Sequence, residues 1–253
     1  MADTARFRKL AIVLLARDEV VSLRETVQGL QAVCRPEDAA RILLFLAPDA
    51  TEACRREAEQ LAARPFPIPN KIVQEKGGAI AAELQQLLRG QADASHALIW
   101  TSDLDAPPAF VALLLEKAKE HPAAAIRPSR LLPGASLPAE KKGFINWRDA
   151  AFARLVRILY RSSQTDPYFG LVLFPIHDFV RFDLREKFMS FALEFALCFE
   201  RLGTQFIELP LNHQMRQEGK SNLSVLDKLR CFVPMIRVRF LPRKKLFREG
   251  MGE

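Results

Sequence analysis

Apolar positions fall into two kinds of pattern along the chain. Leu10 to Ala16 (LAIVLLA) and Arg41 to Ala47 (RILLFLA) are short, almost unbroken apolar runs flanked by charged residues. Such runs are expected of strands buried on both faces of a parallel sheet. HALIW, ending at Trp100, is a third, and KIVQ, ending at Gln74, a shorter candidate. Between them apolar residues recur at helical spacing. Val21, Leu23, Val27 and Leu30 mark one helix, and DATEACRREAEQLAA another, with Asp49 or Thr51 as its N-cap. A further helix opens at Gly77-Gly78 and runs to about Leu88.

The second half continues the alternation. AFVALLLEKAKEH reads as a helix, and AAAIRPSRLLPGASLP as a strand and a Gly/Pro loop. FINWRDAAFARLVRILYR is a long amphipathic helix carrying Arg148, Arg154, Arg157 and Arg161. DPYFGLVLFP supplies a turn and a strand, FMSFALEFALCFERLG a helix stopped by Gly203, and QFIELPL a last strand. Alternating strands and helices predict an α/β fold built on a mostly parallel, doubly wound sheet flanked by helices. Ligands of such sheets bind beyond the carboxyl ends of the strands. Asp18-Glu19 and the pair Asp103 and Asp105 both fall at such ends, so one crevice can hold them all.

The chain has 253 residues, enough for one sizeable domain or two small ones, and 49% of them are apolar. No run reaches the roughly 18 apolar residues of a membrane span, and the N-terminus lacks the apolar core of a secretory signal. Cys34, Cys54, Cys198 and Cys231 form no CxxC pair, which points to reduced thiols and a cytoplasmic location. The net charge of +7 favours anionic partners: nucleotide sugars, lipid headgroups or nucleic acid. No nucleic-acid reader motif is present, which makes nucleic acid the weakest of the three.

ALIWTSDLDAPP carries the candidate chemistry. An apolar strand ends in two carboxylates one residue apart. Hard cations such as Mg2+ and Mn2+ take one or two carboxylates and leave their other positions to phosphate oxygens. Spacing alone allows a second reading, in which Asp105 caps the helix after Pro107-Pro108. Asp18 and Glu19 are likewise open to a capping role.

SDLDAPPAF resembles the DADLQHPP segment of family 2 glycosyltransferases, above all their dolichol-phosphate and polyprenyl-phosphate mannosyltransferase branch. IVLLARDEVVSLRETVQGL resembles that family's opening strand and helix, IRPSRLLPGASLP its GSRYLPGG segment, and DPYFGLVLF its DPTSGFRAF segment. LEFALCFERLGTQFIELPLNHQMRQEGKSNLS resembles the helix, strand and VDRxxGxSKLS stretch that close the catalytic domain. The resemblance spans about Leu10 to Leu229, with five segments in order.

It implies a single-domain A-type glycosyltransferase fold. Residues 1–229 would form the catalytic domain, with a nucleotide-sugar half at about 10–108 and an acceptor half at 109–229; 230–253 would be a basic amphipathic tail. By the same resemblance Asp103 and Asp105 hold Mg2+ or Mn2+, and Thr101 stands where an Asp usually precedes them. Asp18 and Glu19 lie near the base and ribose. Arg216 and Ser221 hold donor phosphates, Arg130 matches the GSR arginine, and Asp166 the acceptor-side acid. The implied reaction is an inverting, metal-assisted transfer from a nucleotide sugar to an acceptor, either a polyprenyl phosphate or a hydroxyl. A hydroxyl would need Asp166 as its base.

The departures are specific. Leu44 and Phe45 stand at positions that are acidic in the family, leaving Asp49 nearby. Arg17 replaces an aromatic, Asn222 a lysine, and PYFG stands for TSGF. These motivate the alternative of a diverged, non-catalytic binding protein. Other features have plain readings. Gly77-Gly78 fits a turn or a phosphate cradle, His177 and His213 fit ordinary loop histidines, and Phe188, Phe191, Phe195 and Phe199 fit a core stripe or an amphipathic face beside the acceptor site. Glu194, on the same helix, faces either the site or solvent. The tail, LRCFVPMIRVRFLPRKKLFREG, interleaves cations with apolar residues. It suits either an anionic membrane surface, making the protein peripheral there, or a packed terminal element with a basic rim.

Overall fold

A computed structural model of the chain describes residues 6–76, 80–101, 105–137, 144–167, 169–186, 190–214 and 231–248, with 144–149 as backbone only. Gly77, Gly78, Asp103, Phe188, Arg216, Ser221 and Asn222 lie outside the described residues.

Seven strands form one sheet: β1 (Leu10–Ala16), β2 (Ala39–Leu46), β3 (Asn70–Gln74), β4 (His96–Thr101), β5 (Ala125–Ser129), β6 (Val172–Pro175) and β7 (Phe206–Pro210). Their spatial order is β3-β2-β1-β4-β6-β5-β7. All neighbouring pairs are parallel except those made by β6, which runs against both β4 and β5. The expected fold class is therefore observed, with one reversed strand inserted.

The unbroken apolar runs are explained by two-sided burial. Leu10, Ile12, Leu14 and Ala16 enter one core, and Ala11 and Val13 the other. The same alternation splits Ile42, Leu44 and Leu46 from Leu43 and Phe45, and Leu98 and Trp100 from Ala97 and Ile99. Leu44 and Phe45 are thus core residues within β2, 0% and 1% exposed. The strand end that could face a ligand comes later, at Ala47-Pro48-Asp49.

One face is covered by α1 (Val21–Val33), α2 (Glu52–Ala63) and α4 (Phe110–Glu120). The other is covered by α3 (Ile80–Arg89), α5 (Phe144–Tyr160), the short α6 (Ile176–Phe179), α7 (Ser190–Leu202) and α8 (Phe232–Phe240). Thr51 caps α2 by accepting from Cys54 N. Asp49 instead pairs with Arg17. Gly203, at φ +82°, ends α7: its amide reaches Glu200 O at 3.0 Å and the Thr204 amide reaches Phe199 O at 3.0 Å. Those are the two bonds of a Schellman stop. Phe191, Phe195 and Phe199 are core, as their spacing predicts.

Glu194 corrects the sequence reading: it faces neither the strand-end site nor solvent. It is fully buried, accepts from the amides of Arg185 (3.0 Å) and Glu186 (2.8 Å), and pairs with Arg237 of α8. Arg201 donates to the carbonyls of Arg239 and Leu241, and Tyr160 Oη donates to Met235 O at 2.5 Å. The C-terminal segment is therefore a helix fixed onto the domain.

Helix α1 sits so close to the Pro107-Pro108 loop that a Cβ on Gly29 would lie 2.5 Å from Pro108 Cβ and 2.6 Å from its Cγ. Gly29→Ala sets an overpacking cost of about 1–3 kcal/mol against the ~1 kcal/mol that alanine gains inside a helix. The expected result is a net loss of stability in urea unfolding; a variant more stable than the wild type would show that the loop does not rest on α1.

Candidate functional site

The sheet brings the carboxyl ends of its strands to one edge. Leu15 of β1 pairs with Thr101 of β4, and Ala16 with Leu46 of β2. Three loops therefore leave the sheet side by side: 17–20, 47–51 and the one after Thr101. Backbone bonds tie the first two, from Ala47 N to Ala16 O at 3.0 Å and from Thr51 N to Arg17 O at 2.8 Å. The order of strands reverses between β1 and β4, which is where doubly wound folds place their ligands.

In this corner the two acidic neighbours behave differently. Glu19 is 6% exposed, and its Oε2 accepts from the amides of Arg17 (2.8 Å) and Asp18 (3.1 Å). It shapes its own loop. Asp18 is half-buried, and its Oδ1 is shielded from water without a hydrogen-bond partner among the described residues. A carboxylate oxygen in that state is a ready acceptor for a ligand hydroxyl or N–H. Arg17 lies across the corner, paired with Asp49.

Thr101 ends β4, and Asp105 follows three residues outside the described set. Asp105 does not cap α4, whose N-cap is Ala109 with no side-chain bond. Its carbonyl instead accepts from His213 Nδ1 at 2.9 Å and from the Gln214 amide at 3.2 Å. This joins the loop after β4 to the one after β7. His213 is 7% exposed, with its ring edge-on to Phe169 at 6.1 Å. Because Nδ1 carries the donated proton, the neutral ring has its lone pair on Nε2. That is the arrangement of a metal-binding histidine whose other nitrogen is fixed by a carbonyl. Sequence spacing hid this residue; its position three residues beyond the last strand was the available signal.

Phe169 also meets Arg130, immediately after β5, whose guanidinium lies 5.3 Å from the ring centre. Asp166 grips it with both oxygens, at 2.6 Å to Nε and 2.8 Å to Nη2. Burial disfavours the Asp166 carboxylate, yet the hydrogen bonds and charge of Arg130 outweigh it, and the pKa lies below the usual value. Asp166 is 1% exposed. An ionised, doubly occupied carboxylate suits holding Arg130 in place and is poorly placed to take a proton from a hydroxyl.

Glu208 of β7 sets this loop in turn. Its oxygens accept from Thr165 N (2.7 Å), Thr165 Oγ1 (2.7 Å) and Asp166 N (3.0 Å). Beneath lies Arg127, fully buried, donating to Gln164 Oε1 at 2.6 Å and Phe169 O at 2.8 Å. Neither Glu208 nor Arg127 stood out in the sequence, because their partners lie 37 to 43 residues away.

Among the described residues no three His, Cys, Asp or Glu side chains cluster tightly enough to hold a metal. A hard cation here would draw on Asp105, His213 and the neighbouring Asp103, with the rest of its shell from a ligand. Carboxylate and phosphate oxygens fit Mg2+ or Mn2+, and an imidazole among them favours the softer Mn2+.

No protein-family model matches the chain, and no curated protein matches it in sequence. Solved structures do match in fold. Glucosyl-3-phosphoglycerate synthase from Mycobacterium tuberculosis with Mg2+ and UDP superposes at TM-score 0.69 and 13% identity, over 93% of this chain and 80% of that one. The same enzyme with Mn2+, UDP and phosphoglyceric acid gives 0.68 and 12%, over 93% and 80%. With Mn2+, UDP-glucose and phosphoglyceric acid it gives 0.65 and 13%, over 93% and 81%. At that identity the likeness shows the fold, which is the A-type glycosyltransferase fold.

Breaking the buried Arg130–Asp166 pair by Asp166→Asn is expected to cost about 3–5 kcal/mol at neutral pH. The native carboxyl titrates below its unfolded value of ~3.9, so its contribution is full above that pH and is lost as pH falls through the native pKa. Urea unfolding between neutral and acid pH should show a flatter acid limb in the variant; parallel limbs would remove the ion pair from the account.

Proposed function

We propose that the protein is a glycosyltransferase that moves a sugar from a nucleoside-diphosphate donor to an acceptor bearing a phosphate, with inversion at the anomeric carbon. The observation that carries this reading is the His213–Asp105 bond. It closes the loops after β4 and β7 over the same strand-end corner that holds Asp18. The fold and the ordered motif resemblance support it.

In this reading Asp18 receives the nucleoside, while Glu19 holds the loop that presents it. Asp103, Asp105 and His213 would hold a divalent cation beside Thr101, which lines the same strand end. Bound there, Mg2+ or Mn2+ supplies positive charge to the donor diphosphate. Arg216 and Ser221 act on the same phosphates. An acceptor oxygen attacks the anomeric carbon as the bond to the diphosphate oxygen breaks, and the diphosphate leaves with the electron pair. Charge held in place where the negative charge grows lowers the barrier.

The acceptor side is read from Arg130. Its guanidinium is fixed by Asp166 and its side chain is 13% exposed, which sets a cation suited to an anionic group beside the corner. A phosphate oxygen is already a nucleophile and requires no base, which agrees with an Asp166 committed to Arg130. The acceptor class is therefore a phosphomonoester, with polyprenyl phosphate the member that the motif resemblance favours. Leu44 and Phe45 belong to the core, which leaves Asp49 as the acid nearest that strand end; the alternative reading is a diverged, non-catalytic binding protein.

Calorimetric titration with a panel of nucleoside diphosphates, with and without Mn2+, tests the donor site. One nucleotide is expected to bind in a Mn2+-dependent manner, with affinity falling at least tenfold in Asp103→Ala and in His213→Ala. Tenfold is the smallest loss expected when a metal ligand or its support is removed. Binding by none of the panel, or binding indifferent to Mn2+ and to both variants, would overturn the reading.

A further inference from the structure

Helix α8 is apolar on both sides. Met235 and Val238 point into the core, while Val233, Ile236 and Phe240 stand in solvent, Phe240 at 74% exposure. The outward residues are spaced three and four apart and so form one stripe. Beside them runs the second half of α5, whose Ile158 is 67% exposed. The two helices are joined by the Phe152–Phe232 ring contact at 5.6 Å and by Arg239 Nε donating to Leu159 O at 2.7 Å. Scattered exposed apolar residues are ordinary, but a contiguous set on one face marks an interaction surface.

This face is rigidly mounted. The buried Glu194–Arg237 pair and the Arg201 bonds to the end of α8 hold it from beneath. Its surroundings are predominantly basic. Residues 150–165 and 231–248 together contain nine Arg and Lys and no Asp or Glu. Arg154, Arg157 and Arg161 are exposed at α5, and Arg243, Lys244 and Lys245 on the turn after α8.

We infer that the α5–α8 face is a docking surface for an anionic lipid bilayer. Val233, Ile236, Phe240 and Ile158 enter the headgroup region, and the flanking cations bind lipid phosphates. Apolar insertion plus a basic rim supplies the two signals that reversible membrane attachment needs. The charge decides the occupant. A second copy of the chain would set the exposed cations of one face against those of the other, and a nucleic acid would find bulky aliphatic residues at the centre. The inference is independent of the donor site and of sugar transfer.

The experiment is flotation of the full chain with phosphatidylcholine vesicles, with and without phosphatidylglycerol. Binding is expected only to the anionic vesicles and to weaken as salt is raised. Ile236→Asp with Phe240→Asp should weaken it at least tenfold, and so should Arg243→Ala with Lys244→Ala and Lys245→Ala. These side chains are exposed, so melting temperatures should stay near that of the wild type. Phe240→Trp reads insertion directly: brominated lipids should quench its fluorescence above the wild-type background. Absence of flotation overturns the inference, as does flotation insensitive to the Asp substitutions. Self-association by sedimentation, abolished by those substitutions without lipid binding, would also overturn it and assign the face to a second copy. Nucleotide binding by a chain that fails to float would leave the proposed donor site standing.

Discussion

The site depends on the parallel pairing of β1 with β4. With Leu15 opposite Thr101, the loops that carry Asp18 and Asp105 leave the sheet at the same height. A slip of one residue would turn every side chain of a strand over and exchange two filled cores. Both faces of β1 and β4 are packed, so the register has no alternative. The position of the acidic corner is therefore a consequence of hydrophobic burial.

That is why this half was legible in the sequence. Two-sided burial leaves unbroken apolar runs, and β1 was read to the residue. β2 begins two residues before the run read from the sequence, at the small, buried Ala39, and ends at Leu46. Asp18, Glu19 and Asp105 were found because they end such runs. Their division of labour was not legible. Whether a carboxylate turns back onto its own backbone, as Glu19 does, or is left with an oxygen lacking a described partner, as Asp18 is, depends on one side-chain torsion rather than on residue type.

The acceptor half was read less well, for a different reason. Its organisation rests on polar pairs distant in sequence: Asp105 with His213, Asp166 with Glu208, Glu194 with Arg237. Each looks like an ordinary surface residue until the chain returns to it. Periodicity records what water rejects and leaves no trace of which charges find each other. Glu194 is the clearest instance, since a fully buried glutamate sits on a helix whose apolar spacing gave no hint of it.

The reversal of β6 has a consequence for how such a site can vary. Because β6 runs against β4, pairing Ile99 with Val172 and His96 with Pro175, the segment that enters it arrives at the edge where its neighbours exit. Asp166 and Phe169 reach the corner only by that inverted approach. A parallel strand would deliver this segment to the opposite edge of the sheet. The corner is thus furnished by outgoing loops on one side and by an incoming loop on the other. Lengthening the incoming loop remodels what faces Arg130 while the register that places Asp18 and Asp105 stays untouched.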